Sequence, residues 1–349
     1  MNTNFNASTI DSLQPASPAM TTTRSIPHDL PSACNASDVG LLQRIREFAV
    51  LVLLLSAGCG PSFDPASLID STRVLGARVE VAGASGRASP APGESATVTW
   101  FVTAKTTVPS LAWAFALCAP GGASARACGS TPFAVFQGTT NPPSVSLTVP
   151  STEALAGADR LVLYGRICTD SAPLFDPQTG DPGCSAGGTG TTALLTIQLQ
   201  TGADTNHNPT AERSFTLDGQ AWPLLPAGAD PCASGPRVVA SDLDHVIGLV
   251  ADGTDRESYQ TVQGDPPAPT LARESLQISS FATAGKLSAQ YLFVEAADER
   301  SETSLAVKWS TPKAADVAGE APVTFFFVVR DNRGGADWTS RSACVVPAR

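Results

Sequence analysis

Short runs in which apolar and polar residues alternate follow one another from Thr72 onward, separated by segments rich in Gly and Pro. Alternation with a period of two is typical of strands that are buried on one face. In the first half of the chain, the runs occupy residues 74–81, 95–102, 111–118, 133–136, 144–149, 161–168 and 191–199. No long 3.6-residue periodicity lies between them, so the pattern predicts an antiparallel β-sandwich over residues 72–200.

A second group of runs follows a polar segment, residues 201–209, which we interpret as a linker. These runs occupy residues 214–217, 237–240, 245–250, 276–279, 291–295, 304–309, 323–330 and 340–346. The last two predict a hairpin, because the Asp-Asn-Arg-Gly-Gly sequence between them tolerates positive φ angles. Residues 314–321 fit a helical turn or a loop, and a loop is favoured. The fold class expected is therefore all-β, with a second tandem sandwich over residues 210–349.

A different pattern lies upstream, where Arg44 and Arg46 precede an apolar run at residues 48–55 that ends in Ser-Ala-Gly-Cys at residues 56–59. Basic, apolar and small residues in this order are typical of a bacterial export signal. The apolar run is too short to cross a bilayer, which takes about twenty residues. We therefore interpret residues 44–58 as a signal segment, with a buried core helix as the alternative.

The position of Cys59 directly after Ser-Ala-Gly resembles the lipobox of bacterial lipoproteins, although residue 56 is Ser where that family more often has Leu. The resemblance implies cleavage before Cys59 and lipidation of this cysteine, and plain secretion is the alternative. Residues 59–71 would then tether the first sandwich to the membrane. Gly60 stands where Asp often means retention in the inner membrane, so the outer membrane is favoured.

Residues 1–43 are rich in Ser, Thr, Asn and Pro and lack apolar periodicity, which predicts a disordered leader. Because signal segments begin with a short basic region, we also hypothesise that translation starts further downstream, near Val39, Leu41 or Leu42.

The net charge and the cysteines restrict the kinds of partner and the disulfide and metal chemistry that we expect. A net charge of −10 disfavours nucleic acid or anionic lipid headgroups as the main partner. Six cysteines follow Cys59, and an even number in an exported chain predicts three disulfides. Six cysteines allow fifteen pairings, so the connectivity in the first sandwich stays open, and nearest-neighbour pairing is the choice made for it. The two cysteines of the second sandwich should pair with each other. The expected disulfides are Cys118–Cys128, Cys168–Cys184 and Cys232–Cys344. No CxxC spacing occurs, which disfavours zinc.

The first sandwich resembles an immunoglobulin-like domain. Pro-Gly-Glu-Ser at residues 92–95 precedes the second run, Trp113 lies on the third and Tyr164 on the sixth, as in that family. The second run has no cysteine, so the disulfide that joins the two sheets of antibody domains has no counterpart here. The aromatic residues of these runs are predicted to fill the core.

Few residues suit catalysis. After Cys59 the only histidines are His207, predicted to be solvated in the linker, and His245, at the start of an apolar run. No GxSxG, HExxH, P-loop or GxGxxG motif occurs, so we expect no enzyme.

The linker resembles the calcium-binding segment between cadherin-like repeats. The resemblance implies a calcium site formed by Asp204, Asn206, Asn208, Asp242 and Asp244, because calcium takes six to eight oxygen ligands. The Asp-Arg-Glu sequence at residues 255–257 could add carboxylates. The alternative is that these are ordinary linker and turn residues. No other cofactor is expected.

The sequence leaves three functions open. The leading one is a non-enzymatic, lipid-anchored protein of the cell envelope that acts as a structural or protein-interaction module. A carbohydrate-binding or adhesive module is the alternative, and Trp222 and Trp338 are its candidate exposed aromatic residues. An envelope hydrolase would need His245 beside a serine or a carboxylate.

Overall fold

The computed structural model describes residues 65–348 apart from 121–127, 129–130, 177–180, 186–187, 201, 203, 242 and 265. The described residues belong to one compact unit, Phe63–Arg349. The predicted leader, the signal segment and Cys59 lie outside them, as does Asp242. Among the described residues, strands and turns dominate, in agreement with the predicted all-β class.

The first sandwich is built from two antiparallel sheets. Its elements are β1 (Arg73–Val81), β2 (Ser95–Thr103), β3 (Ala112–Cys118), β4 (Ala134–Gly138), β5 (Ser144–Thr148), the one-turn helix α1 (Thr152–Leu155), β6 (Arg160–Cys168), β7 (Pro173–Phe175), β8 (Pro182–Cys184) and β9 (Gly190–Gln198). One sheet has the order β1-β2-β5 and the other β4-β3-β6-β9, while β7 and β8 form a small ribbon. This arrangement is immunoglobulin-like, as the sequence predicts.

Buried and more exposed residues alternate along the strands, and the buried ones form the core of this sandwich. Along β2, every second residue from Ala96 to Val102 is buried, so one face of the strand supplies the core. Trp100 stacks on Phe115 across the two sheets, with ring centroids 5.1 Å apart, and Trp113 packs at a tilt on the same phenylalanine. These rings are core residues, as expected.

The second sandwich also has two main sheets. Its elements are β10 (Phe215–Leu217), β11 (Gln220–Ala221), helix α2 (Pro231–Ser234), β12 (Arg237–Val239), β13 (Asp244–Asp252), β14 (Ser258–Gln263), β15 (Ala268–Arg273), β16 (Leu276–Ala282), β17 (Lys286–Leu287), β18 (Tyr291–Val294), β19 (Glu302–Ser310), β20 (Ala321–Asp331) and β21 (Ala336–Val346). The sheet orders are β11-β10-β13-β19-β17 and β12-β21-β20-β16-β18, and β12 pairs with β21 in parallel.

Two local features differ from the prediction. A single turn of 3₁₀ helix, Ala314–Asp316, occupies the segment for which a loop was favoured. The hairpin β14–β15 was not predicted, because its polar strands and the Pro-Pro pair at its tip lack apolar alternation. Both strands are largely exposed, so no core-facing pattern marks them.

Three disulfides join the same pairs that the sequence predicts. Cys118 bonds to Cys128 and Cys168 to Cys184, and each bridge closes a local loop of the first sandwich. The third disulfide joins Cys232 in α2 to Cys344 in β21 over 112 residues. It therefore ties the start of the second sandwich to its last strand.

A third apolar cluster, which we call the interface cluster, joins the two sandwiches. Leu75 and Phe101 from the first sandwich pack on residues of the second, and Phe101 stacks on Trp338 with centroids 5.0 Å apart. The other members are Ile69, Phe281, Phe326 and Val328. Polar contacts reinforce it, because Arg78 pairs with Asp337 at 2.7 Å and Arg330 donates to the carbonyl of Leu75.

The segment just before the first sandwich takes part in this union. Ile69 is fully buried in the interface cluster, and its N–H donates to the carbonyl of Ala282 at 2.8 Å. The N–H of Ala282 in turn donates to the carbonyl of Ser67. Residues 67–69, expected to belong to a tether, therefore pack along an edge of the second sandwich.

Candidate functional site

The linker forms the centre of a polar cluster between the sandwiches, which we call the junction. It comprises Asp204–Asn208 in sequence and four side chains of the second sandwich. Those side chains are Glu257, Glu274, Asp331 and Arg333. They come from three separate parts of the chain, and sequence reasoning singled out only the first of them, within the Asp-Arg-Glu sequence.

Asn208 connects the two sandwiches directly. Its Nδ2 donates to the carbonyls of Val79, at 2.8 Å, and of Gly86, at 3.2 Å, in the first sandwich. Its Oδ1 accepts a hydrogen bond from the N–H of Ala336 in the second sandwich, at 2.9 Å. The donor and acceptor atoms of this amide are thus committed to structure and are not available to a metal ion.

Glu257 holds the linker from the other side. Its Oε2 accepts a hydrogen bond from the N–H of His207 at 3.2 Å, and its Oε1 contacts Nδ1 of the same histidine. Arg333 lies 3.6 Å from this carboxylate and donates to the carbonyl of Thr205 at 3.2 Å. His207 is therefore a junction residue as well as a half-exposed one, rather than a purely solvated linker residue.

Two buried carboxyl groups lie beneath these contacts. Glu274 is fully buried, and its carboxylate accepts hydrogen bonds from Arg333 Nη1 at 3.0 Å and from the N–H of Glu257 at 2.9 Å. Burial raises the pKa of Glu274 to about 7, and the nearby charges of Asp331 and Glu257 act in the same direction.

Asp331 has a similar environment at the start of the turn between β20 and β21. Burial raises the pKa of Asp331 to about 6, although the N–H groups of Arg333 and Gly335 donate to its carboxylate. The side chain of Asn206, which is 1% exposed, also faces this carboxylate and helps to lower its pKa. Burial in the junction therefore raises the pKa of both carboxyl groups, to about 7 for Glu274 and about 6 for Asp331.

The described residues of the predicted calcium site are not gathered in one place. Asp204 accepts a hydrogen bond from the N–H of Gln260 at 2.7 Å. Asp244 lies at the first residue of β13, where it accepts from Ser310 and faces Lys308. The linker meets the opposite end of this strand, because the N–H of Thr210 donates to Asp255. Nine residues of strand separate those ends by about 26 Å.

The guanidinium of Arg333 lies 3.6 Å from the carboxylate of Glu257 and 3.0 Å from that of Glu274, so a positive charge already stands beside these junction carboxylates. His207 also contacts Glu257. Within the described residues, the only cluster of three potential metal ligands is Cys232, Glu320 and Cys344. Its two sulfur atoms are joined in a disulfide, so it does not suit a metal ion.

The other candidate residues have structural partners. His245 Nδ1 lies 2.7 Å from an oxygen of Asp218, and its Nε2 is buried with no hydrogen bond to any serine or other group of the described chain. An acid–histidine pair is therefore present without a nucleophile that contacts it. Asp218 itself has a pKa held below its usual range, chiefly because His245 and the N–H of Val246 donate to it and outweigh its burial.

The two tryptophans that were candidates for an exposed carbohydrate-binding surface are covered. Trp222 is 2% exposed and donates to the carbonyl of Ser342, and Trp338 is packed in the interface cluster. Two other aromatic side chains, Tyr291 and Phe293 on β18, are exposed instead. Sequence reasoning missed them, because the run 291–295 does not show by itself which of its faces is covered.

A polar cleft with a volume of about 380 Å³ opens beside the junction. Ser89, Gln198 and Gln200 of the first sandwich line one side of it. Tyr259 and Asn332 line the other, where the guanidinium of Arg333 lies 4.7 Å from the centroid of the Tyr259 ring. Its size falls in the range of small-ligand sites, but its walls are more polar than most.

No protein-family model and no curated protein matches this sequence. Among solved structures, the chain is similar to the two tandem V-type regions of VCBP3, a v-region-containing chitin binding protein. The identity is 9% and the TM-score 0.22, and the match covers 77% of this chain and 99% of that one. Similarity this low supports no inference on fold or function, so both are argued from the strands and contacts described above. No helix of the described residues is long and apolar enough to cross a membrane.

Proposed function

We propose that this chain is a non-enzymatic lipoprotein of the bacterial envelope, in which two immunoglobulin-like sandwiches act as one rigid module for protein interaction or spacing. The observation that carries the proposal is the union of the sandwiches. The interface cluster and the junction engage both domains, so the pair presents fixed surfaces rather than two freely moving ones.

Anchoring through Cys59 is part of this proposal and is supported by the export signal and the lipobox-like sequence. Acyl chains on an N-terminal cysteine would hold the module at a membrane, since each buried methylene contributes about 0.8 kcal/mol. The outer membrane is the favoured location. The disulfides fit an oxidising compartment of this kind.

The test is the intact mass of the protein extracted from membranes of cells that express the full chain. We expect a chain that begins at Cys59 and carries acyl groups, with all six later cysteines oxidised. The Cys59→Ala variant should leave the membrane fraction, whereas Cys34→Ala, which changes the other cysteine upstream of the three disulfides, should have no effect. A reduced, unacylated chain in the cytosol would contradict the proposal.

A second candidate is saccharide binding in the polar cleft. The observation that favours it is that amide side chains line this cleft together with Tyr259. Gln200 and Asn332 also hydrogen-bond within the protein, so Gln198 is the amide on which the test rests. Amides and an aromatic ring suit hydroxyl groups and the apolar face of a sugar. A glycan array should then give binding that the Gln198→Ala change weakens, and the absence of any bound glycan would exclude this candidate.

A further inference from the structure

The outer face of β18 carries two exposed aromatic rings side by side. β18 is the edge strand of its sheet, and Tyr291 is 47% and Phe293 55% exposed, with ring centroids 6.5 Å apart. Their partners across the strand pair are Ser279 and Gln277, and Arg330 of β20 donates to the Ser279 hydroxyl at 3.0 Å. The two rings form a small exposed aromatic patch beside this cation, which we call the β18 patch.

The chain enters the described structure at this same edge. Residues 67–69 hydrogen-bond to Ala282 of β16, and β20 already occupies the other edge of β16 as far as Ala282. The entering segment must therefore lie on the edge that β18 shares. It runs parallel to β16, because Leu68 forms a parallel bridge with Ala282.

A turn places Pro65, the first described residue, close to this bridge, because the N–H of Leu68 donates to the carbonyl of Pro65 at 2.8 Å. Two residues before Ala282 on β16, the N–H of Ser280 donates to the carbonyl of Gln290 at 2.7 Å. Gln290 is the residue before Tyr291. Five residues lie between Cys59 and Pro65, and the six steps from one to the other span about 20 Å in an extended chain.

A lipid anchor at Cys59 would thus keep the β18 patch within a short distance of the bilayer. Aromatic rings are favourable at the boundary between headgroups and acyl chains. Two rings give only weak binding on their own, but a tether raises their effective concentration at the surface. We propose that Tyr291 and Phe293 form a second membrane contact, which sets the orientation of the module on the bilayer. This inference rests on the proposed membrane anchoring.

The experiment tests membrane contact by the β18 patch independently of natural lipidation. Residues 59–349, which include every described strand, are prepared without acylation. Cys59 is then the only cysteine outside the three disulfides, and it is coupled to a maleimide lipid in vesicles of phosphatidylethanolamine and phosphatidylglycerol. Hydrogen exchange of residues 291–294 is compared between the coupled protein and the free protein.

We expect exchange of these edge-strand amides to slow by about threefold or more on coupling. The Y291S/F293S variant should lose this slowing, and F293S alone is used if the double variant does not fold. The control variant V262S/L271S changes two even more exposed apolar residues on β14–β15 and should behave as the wild type.

Equal exchange in the coupled and free wild-type protein would overturn the inference. So would slowing without vesicles that grows with protein concentration, because it would mean that a second copy covers the patch. Failure of natural anchoring would appear separately, in the intact mass, since the coupled lipid replaces the natural one.

Discussion

Asn208 illustrates how much a single linker side chain contributes to the union of the sandwiches. Its amide makes three hydrogen bonds, two to the first sandwich and one to the second. The sequence identified Asn208 as a residue with a role in the linker, but assigned it to calcium. The partners are backbone groups at residues 79, 86 and 336, which no local sequence pattern associates with the linker.

We predict that Asn208→Ala lowers the free energy of unfolding by about 2–4 kcal/mol, because each lost hydrogen bond contributes about 1 kcal/mol and the buried Val79 carbonyl and Ala336 N–H lose this partner. The carbonyl of Gly86 keeps its hydrogen bond from the backbone N–H of residue 208. Denaturant unfolding measures this change. Asn332→Ala is the matched control, since its exposed side chain bonds only within the second sandwich and should cost less. Equal losses for the two variants would contradict the role of Asn208.

The buried carboxyl of Glu274 predicts a pH dependence of stability. A carboxyl whose pKa is higher in the folded state than in the unfolded state contributes stability at low pH and loses it as pH rises. For Glu274 this stabilisation is lost between pH 4.5 and about pH 7. Unfolding free energy should therefore fall between pH 5 and pH 8, and Glu274→Gln should fall less over that range. Parallel pH profiles for the two proteins would refute the assignment.

At the scale of elements, apolar alternation predicted most of the long strands. β2, β6 and β13 lie within one or two residues of their predicted bounds, because each buries one face in a core. The hairpin β14–β15 and the short ribbon β7–β8 were missed, since neither buries a full face. The junction could not be predicted either, because Glu274 and Asp331 are brought to the linker only by the pairing of β16 with β20.

The disulfides predict a difference between elements. In the chain-entropy model, the 112-residue loop of Cys232–Cys344 is worth about 5 kcal/mol and the 10-residue loop of Cys118–Cys128 about 3 kcal/mol. Replacing both cysteines of a pair with Ser should thus destabilise the protein more for the first pair. Thermal unfolding of the two double variants measures this, and the reverse order would count against the model.

At the scale of the whole molecule, the two sandwiches should unfold together. Each has its own core, with the first core running from Ala77 to Leu199 and the second from Ala211 to Val345. Two separate cores permit two separate transitions. The interface cluster, which includes the buried Ile69, and the junction oppose this. Unfolding of either sandwich would expose apolar side chains that the other one covers and would leave one member of the Arg78–Asp337 ion pair without its partner.

Differential scanning calorimetry of residues 59–349 tests this rigid union most directly. We predict one cooperative transition in which the calorimetric enthalpy equals the van't Hoff enthalpy. Two resolved transitions, or a calorimetric enthalpy close to twice the van't Hoff value, would show that the sandwiches unfold independently and would contradict the account.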